Sequence, residues 1–136
     1  MESAKNLRNI KFTGFISSEE MDKFLNSAHV GLVLMKGGIT KYWVGNKIGE
    51  YIASSLGMVN NVETEVSNII DENSIGINVP SEDPEAVAKA IIYFFNNPHE
   101  LRKSMVNSRN LFAKSFDRIQ NSKSYVSYLE GICSKT

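Results

Sequence analysis

The run "HVGLVLM" at residues 29–35 constrains this fold more than any other stretch. It is almost wholly apolar, shorter than an ordinary helix, and broken at once by "KGGIT". An alternating pattern buries one face of a strand, whereas a continuous apolar run buries both. A strand covered on both faces belongs in a parallel sheet with helices above and below it. The flanking segments fit that demand. In "SSEEMDKFLNSA", Ser17 and Glu20 have capping-box spacing, and Met21, Phe24, Leu25 and Ala28 form a helical stripe. From Asn46 onward, Ile48, Tyr51, Ile52 and Leu56 keep helical spacing. "GMVNN" reads as a short strand, "ETEVSNIIDEN" as a short helix carrying Val66, Ile69 and Ile70, and "SIGINV" as another strand.

The rest of the chain is helical in pattern. Asp83 before Pro84 is a strong helix start, and Val87, Ala88, Ile91, Phe94 and Phe95 follow. Asn97, Pro98 and Glu100 repeat that start for a helix through Leu101, Met105, Leu111 and Phe112. A last helix begins near Asp117, with Ile119, Tyr125, Val126 and Leu129 as its apolar stripe. Upstream, "NIKFTGF" at residues 9–15 reads as a strand ending in a turn. The expectation is one α/β domain over residues 1–136. It has a partial Rossmann-like parallel sheet of about four strands, flanking helices and a helical C-terminus.

Composition narrows the class without naming a function. Lys plus Arg and Asp plus Glu number 15 each, so the formal charge is zero and a nucleic-acid partner is not expected. No apolar run reaches the length of a membrane span, and the N-terminus lacks the apolar core of a signal peptide. Cys133 is the single cysteine, which makes a reducing, cytoplasmic compartment the expectation.

Ligands of an open parallel sheet bind beyond the carboxyl ends of its strands. Residues 14–16, 36–45 and 61–65 sit there in this reading. Residues 36–45 hold three glycines ahead of a helix, so backbone N–H groups and the helix N-terminus could approach a phosphate. Other chemistry finds no support. His29 and His99 lie far apart, no HExxH or CxxC spacing exists, and Cys133 has no neighbouring base. Tyr42, Trp43 and Tyr51 could stack on a base or a sugar, but Tyr51 lies within the helical stripe and reads as core edge.

Taken in order, "NIKFTGFISSEEMDKFLNSAHVGLVLM", "NKIGEYIASSLGMV" and "ETEVSNIIDENSIGINVPSEDPEAVAKAIIYFFNNPHELRKSMVNSRNLF" resemble the C-terminal half of a GT-B-fold glycosyltransferase of the group-one family. The resemblance implies a domain that binds a nucleotide-diphosphate sugar as donor substrate, with no other cofactor, for reactions such as those of polysaccharide biosynthesis. It assigns Glu50 to the family's helix acid, whose carboxylate takes both ribose hydroxyls in bidentate fashion. It places Phe15 and Ile16 at the turn that meets the base. Gly45 and Asn46 fall at the helix start near the diphosphate, and Lys47 at a lysine that neutralises phosphate charge. Glu65 takes a capping or structural role.

The chain also departs from the family pattern. Tyr42 stands where many members carry a second acid that meets the donor sugar. Ser55 replaces the usual glycine and Gly57 the usual proline, which is expected to loosen the start of the next strand. The family's first two strand–helix units and its acceptor domain have no counterpart here. In the sheet order 3-2-1-4-5-6 the absent strands are central. Either residues 10–13 close up beside residues 30–34 through a right-handed crossover, or a second polypeptide or second copy fills the gap. The implied activity is sugar transfer once an N-terminal half is present, with the chain inactive alone and the complete enzyme peripheral at the membrane where its acceptor is lipid-linked. The alternative is a non-catalytic binding or assembly module that pairs with a partner subunit.

Overall fold

Three parallel strands organise the chain in a computed structural model that describes residues 7–36, 46–116 and 118–134. Helix α1 (Ser18–Ser27) leads to strand β1 (Val30–Val33), then α2 (Asn46–Ala53), β2 (Gly57–Asn60), α3 (Glu65–Asn73) and β3 (Gly76–Asn78). Helices α4 (Pro84–Asn96) and α5 (Pro98–Leu111) follow, then a turn of π-helix at Phe112–Phe116 and helix α6 (Arg118–Cys133). The sheet order is β1-β2-β3, with Leu32 opposite Val59 and Val59 opposite Ile77. This is the expected α/β class, built from β–α–β units whose apolar strands demand cover on both faces.

The core lies on those two faces. On one, Val33 and Met58 meet Ile48 and Ile52 of α2, Val66 and Ile70 of α3, and Leu111 of α5. On the other, Val59 packs with Val30 and Ile77 beneath Val87, Ala90 and Phe94 of α4 and Leu101 of α5. Every residue of β2 is buried, as a central strand requires. Each fully buried branched side chain contributes roughly 1.5–3 kcal/mol, so this double layer dominates the stability. Helix α5 approaches the start of β2 closely enough for the buried Ser108 hydroxyl to donate to the Leu56 carbonyl at 2.7 Å.

Local start signals act as their residues dictate. Ser17 and Glu20 form a complete capping box, and the Asp83 carboxylate accepts from the Ala86 N–H at 2.8 Å. Thr64 caps α3, with Glu65 in its first turn. Asn97 departs from the pattern. Helix α5 does begin at Pro98, but the Asn97 side chain donates backward to the Tyr93 carbonyl at 2.8 Å and closes α4 instead.

Two expectations fail. Residues 9–15 form no strand, so the sheet has three strands among the described residues rather than about four. Ile10 and Phe12 are exposed, and Gly14 turns the chain at φ 67°. An extended segment gains little without a ladder partner, and two alternating apolar residues before a turn cannot hold a register against β1. The closed-up crossover is therefore not formed, and α1 buries none of its residues. The start of β2 is not loose either. Gly57 is buried, and its N–H donates to the His29 carbonyl at 3.0 Å, a bond that proline could not make. Ser55 does occupy a left-handed conformation (φ 58°), the backbone state that glycine takes at least cost.

The last helix stays in solvent. Ile119, Tyr125, Val126 and Leu129 of α6 are all exposed, so its stripe does not fold onto the sheet. No helix among the described residues is long and apolar enough to cross a membrane.

Candidate functional site

The carboxyl edge of the sheet is where the two crossovers, through α2 and α3, and the connection to α4 leave the strands. Helix α2 starts there, at Asn46. Its apolar positions Ile48 and Ile52 turn into the core, which forces the intervening residues outward. Asn46 and Glu50 lie four apart and Lys47 and Glu50 three apart, so all three share the exposed face of the first turns. The Glu50 carboxylate and the Lys47 ammonium make no ion pair with any other described residue. A free carboxylate with a helix N-terminus one turn away can accept two hydroxyl donors while the helix start favours an anion beside it.

Tyr51 ties this helix to the sheet. Its ring lies over Gly31, where an added Cβ would overlap the ring, and its hydroxyl donates to the Leu32 carbonyl at 3.4 Å. Burial pushes the Tyr51 phenol above its ordinary value, and the neighbouring Glu50 charge adds to that. Carbonyls alternate sides along a strand, and those of His29 and Val33 accept from Gly57 and Asn61 of the β2 segment. The backbone groups of Val30, Leu32 and Leu34 therefore face away from β2, along an edge that no described strand covers. Leu32 and Leu34 are exposed beside it. Tyr51 is thus core edge, as its place in the stripe implied, and Glu50 stands next to it in solvent.

The remaining predicted residues are less well gathered. Gly45, Tyr42 and Trp43 lie outside the described residues. Phe15 is fully exposed and Ile16 half-buried, in the irregular segment before α1, and the structure gives neither a hydrogen bond nor a ring contact. His99 is exposed and 3.6 Å from Glu100, and Cys133 is exposed. Among the described residues no three His, Cys, Asp or Glu side chains gather into a group that could hold a metal ion.

Sequence reasoning passed over three asparagines at the same edge. Asn60, 1% exposed, donates to the Val62 carbonyl at 3.0 Å and to Asn78 Oδ1 at 2.8 Å, and accepts from the Val62 N–H at 3.1 Å. Asn78 in turn donates to the Ser67 carbonyl of α3 at 2.9 Å. Asn61, 8% exposed, accepts from the Met35 N–H at 2.8 Å and donates to the Met35 carbonyl at 3.0 Å. The signals were "VNN" for Asn60 and Asn61 and "GINV" for Asn78, each in an apolar strand, because amides are poor strand residues and stay buried only when bonded. Beside Asn61 a cavity of about 240 Å³ opens at this edge, lined by Leu34, Glu82, Asp83, Pro84 and Val87. A second, of about 310 Å³, lies at the opposite end of the sheet against Ser74, Gly76 and Ser104, away from α2.

No curated protein and no solved structure matches the chain. A sequence model of the family described as glycosyl transferases group 1 matches residues 1–97. That span is well over half of the 136 residues and includes all three described strands and the helix that carries Glu50. By that match the chain belongs to the group-one glycosyl transferase family, and its parallel β–α–β sheet is consistent with it.

Proposed function

We propose that this chain is the donor-binding part of a sugar transferase, taking a nucleotide-diphosphate sugar at the carboxyl edge of β1 and β2. One observation carries the reading: the Glu50 carboxylate is exposed and free of any described cation, on the same face as Asn46 and Lys47 at the start of α2. Glu50 accepts both hydroxyls of the ribose, Lys47 offsets phosphate charge, and the helix start at Asn46, which Gly45 precedes in sequence, faces the phosphates. Phe15 and Ile16 approach the base only once their segment gains a neighbour. Transfer needs a second domain to close a cleft over the donor and to bring the acceptor, so the chain alone gives negligible turnover. The uncovered edge of β1, with Leu32 and Leu34 exposed beside it, supports a further strand–helix unit there, supplied by an N-terminal half, a partner subunit or a second copy.

Calorimetric titration of the chain with uridine and guanosine diphosphates tests the site. The wild type is expected to bind one of them, and Glu50→Ala to bind it at least about tenfold more weakly, the loss expected for one charge-assisted pair. Equal affinity in the two proteins removes Glu50 from the site. The second reading, a non-catalytic assembly module, draws on the exposed stripe of α6 and predicts no diphosphate binding together with a stable complex through that helix.

A further inference from the structure

The cavity at the amino end of the sheet has no part in the donor reading. About 310 Å³ in volume, it lies where the end of α3, the start of β3 and facing turns of α4 and α5 meet. Its walls are tied together, because the Asn107 amide on α5 donates at 3.1 Å to the carbonyl of Ser74, which ends α3. That volume lies at the lower end of small-molecule pockets, about 300–1,000 Å³, and suits one compact ligand. Ser104, on its wall, is only 8% exposed. A serine in a helix can turn its hydroxyl to the carbonyl one turn back. The Ser104 hydroxyl makes no hydrogen bond with any described residue, whereas that of Ser108, one turn later, bonds the Leu56 carbonyl. No fully enclosed side-chain oxygen or nitrogen among the described residues lacks a partner, so the Ser104 oxygen opens on the cavity. An unbonded hydroxyl at this depth is unfavourable, and a bond to an occupant offsets that cost.

The lining carries both signs of charge. Asp71 of α3 and Lys103 of α5 share the cavity, yet neither forms an ion pair with the other or with any described residue. Glu100 adds a second carboxylate, whose described neighbour is the exposed His99 at 3.6 Å. An apolar wall comes from Ile77 and the tilted Tyr93–Phe94 ring pair, centroids 6.1 Å apart. We infer that this cavity binds a free α-amino acid with an apolar side chain. The ligand's ammonium takes the Asp71 and Glu100 carboxylates. Its carboxylate takes the Lys103 ammonium and accepts from the Ser104 hydroxyl, and its side chain lies on Ile77, Tyr93 and Phe94. A ligand with one charge leaves either Lys103 or the two acids unmatched, and an uncharged ligand leaves all three. The inference is independent of the donor reading, since this cavity and the start of α2 lie at opposite ends of the sheet.

Ligand-observed NMR titration of the full chain with L-leucine and L-phenylalanine tests the site. The wild type is expected to bind at least one of them with a dissociation constant of about 1 mM or tighter, the range open to so few atoms. N-acetylation of that amino acid removes its positive charge and amidation its negative one, and each is expected to weaken binding about tenfold. Crossing these ligands with variants of the two exposed charged residues assigns the contacts. Lys103→Met is expected to weaken the free amino acid about tenfold and to leave its amide unchanged. Asp71→Asn is expected to weaken the free amino acid and to leave its N-acetyl form unchanged. Ser104→Ala loses no side-chain hydrogen bond of the empty chain, so it is expected to keep the thermal midpoint while binding the amino acid about fivefold more weakly. Failure of the wild type to bind either amino acid overturns the inference. So does equal affinity for the free and blocked forms, or unchanged affinity in folded Lys103→Met and Asp71→Asn.

Discussion

Helices α1 and α2 carry similar sequence signals and meet opposite fates. Helix α1 has the better local equipment: ten residues, a full capping box, acids in its first turn and a Met21–Phe24–Leu25 stripe. Helix α2 has eight residues and no acid in its first turn, yet it buries Ile48 and Ile52 completely. What separates them is the surface each one finds. Helix α2 returns from β1 to β2 and is forced over their shared face, whereas α1 precedes β1 and joins no two described strands. Capping and periodicity make a helix; a core needs a second layer at the right place.

Truncation of one apolar side chain on each helix should break the comparison open. Ile52→Ala is expected to lower unfolding free energy by about 2–5 kcal/mol, and Phe24→Ala by less than about 0.5 kcal/mol, both read from urea denaturation. Similar losses at the two sites would mean that α1 has a packed face in solution. A smaller contrast lies in the caps. Asp83→Ala, at the start of a helix that covers β2, should cost about 1 kcal/mol of global stability. Ser17→Ala should leave the urea midpoint unchanged and appear only as faster amide exchange within α1. A midpoint shift from Ser17→Ala would couple α1 to the core.

The smallest effect concerns Tyr51, which holds α2 over β1. Its phenol titrates above its ordinary value of 10.0 in the folded chain because of burial and the Glu50 charge. The unfolded state therefore releases this proton first, at its own lower pKa. The stability linked to the neutral phenol is fully present below about pH 10 and is lost as pH rises through the folded value. Tyr51→Phe should flatten that alkaline loss in denaturation measured from pH 8 to 11. An unchanged alkaline limb would place the ring in solvent.

These contrasts also explain how far the residues could be read in advance. The run at residues 29–35 and the Asp83–Pro84 start specify their elements locally, and both elements were legible, but β1 is not buried on both faces as its apolar run implied, because Leu32 and Leu34 lie at an edge that no described strand covers. Glu50 was singled out through the resemblance, and the burial of Ile48 and Ile52 on either side of it leaves it on the exposed face of α2. The strand expected at residues 10–13 was not decidable by pattern, since whether an extended segment pairs depends on an edge elsewhere in the chain. The Asn60–Asn61–Asn78 bonds were hidden for a related reason. They join residues up to 26 positions apart, and only the parallel register brings Met35 within reach of Asn61. For the same reason Gly31 showed no purpose until Tyr51 was seen to lie across it.

The uncovered edge of β1 has a consequence for handling the protein. Its outward N–H and C=O groups, apart from the Leu32 carbonyl that accepts from Tyr51, present a template onto which another chain's strand can add, and no lysine or proline within the strand guards it. Natural sheets blunt such edges by brevity, and β1 has only four residues. Association of copies through this edge is expected to grow with protein concentration, which sedimentation across a concentration series checks.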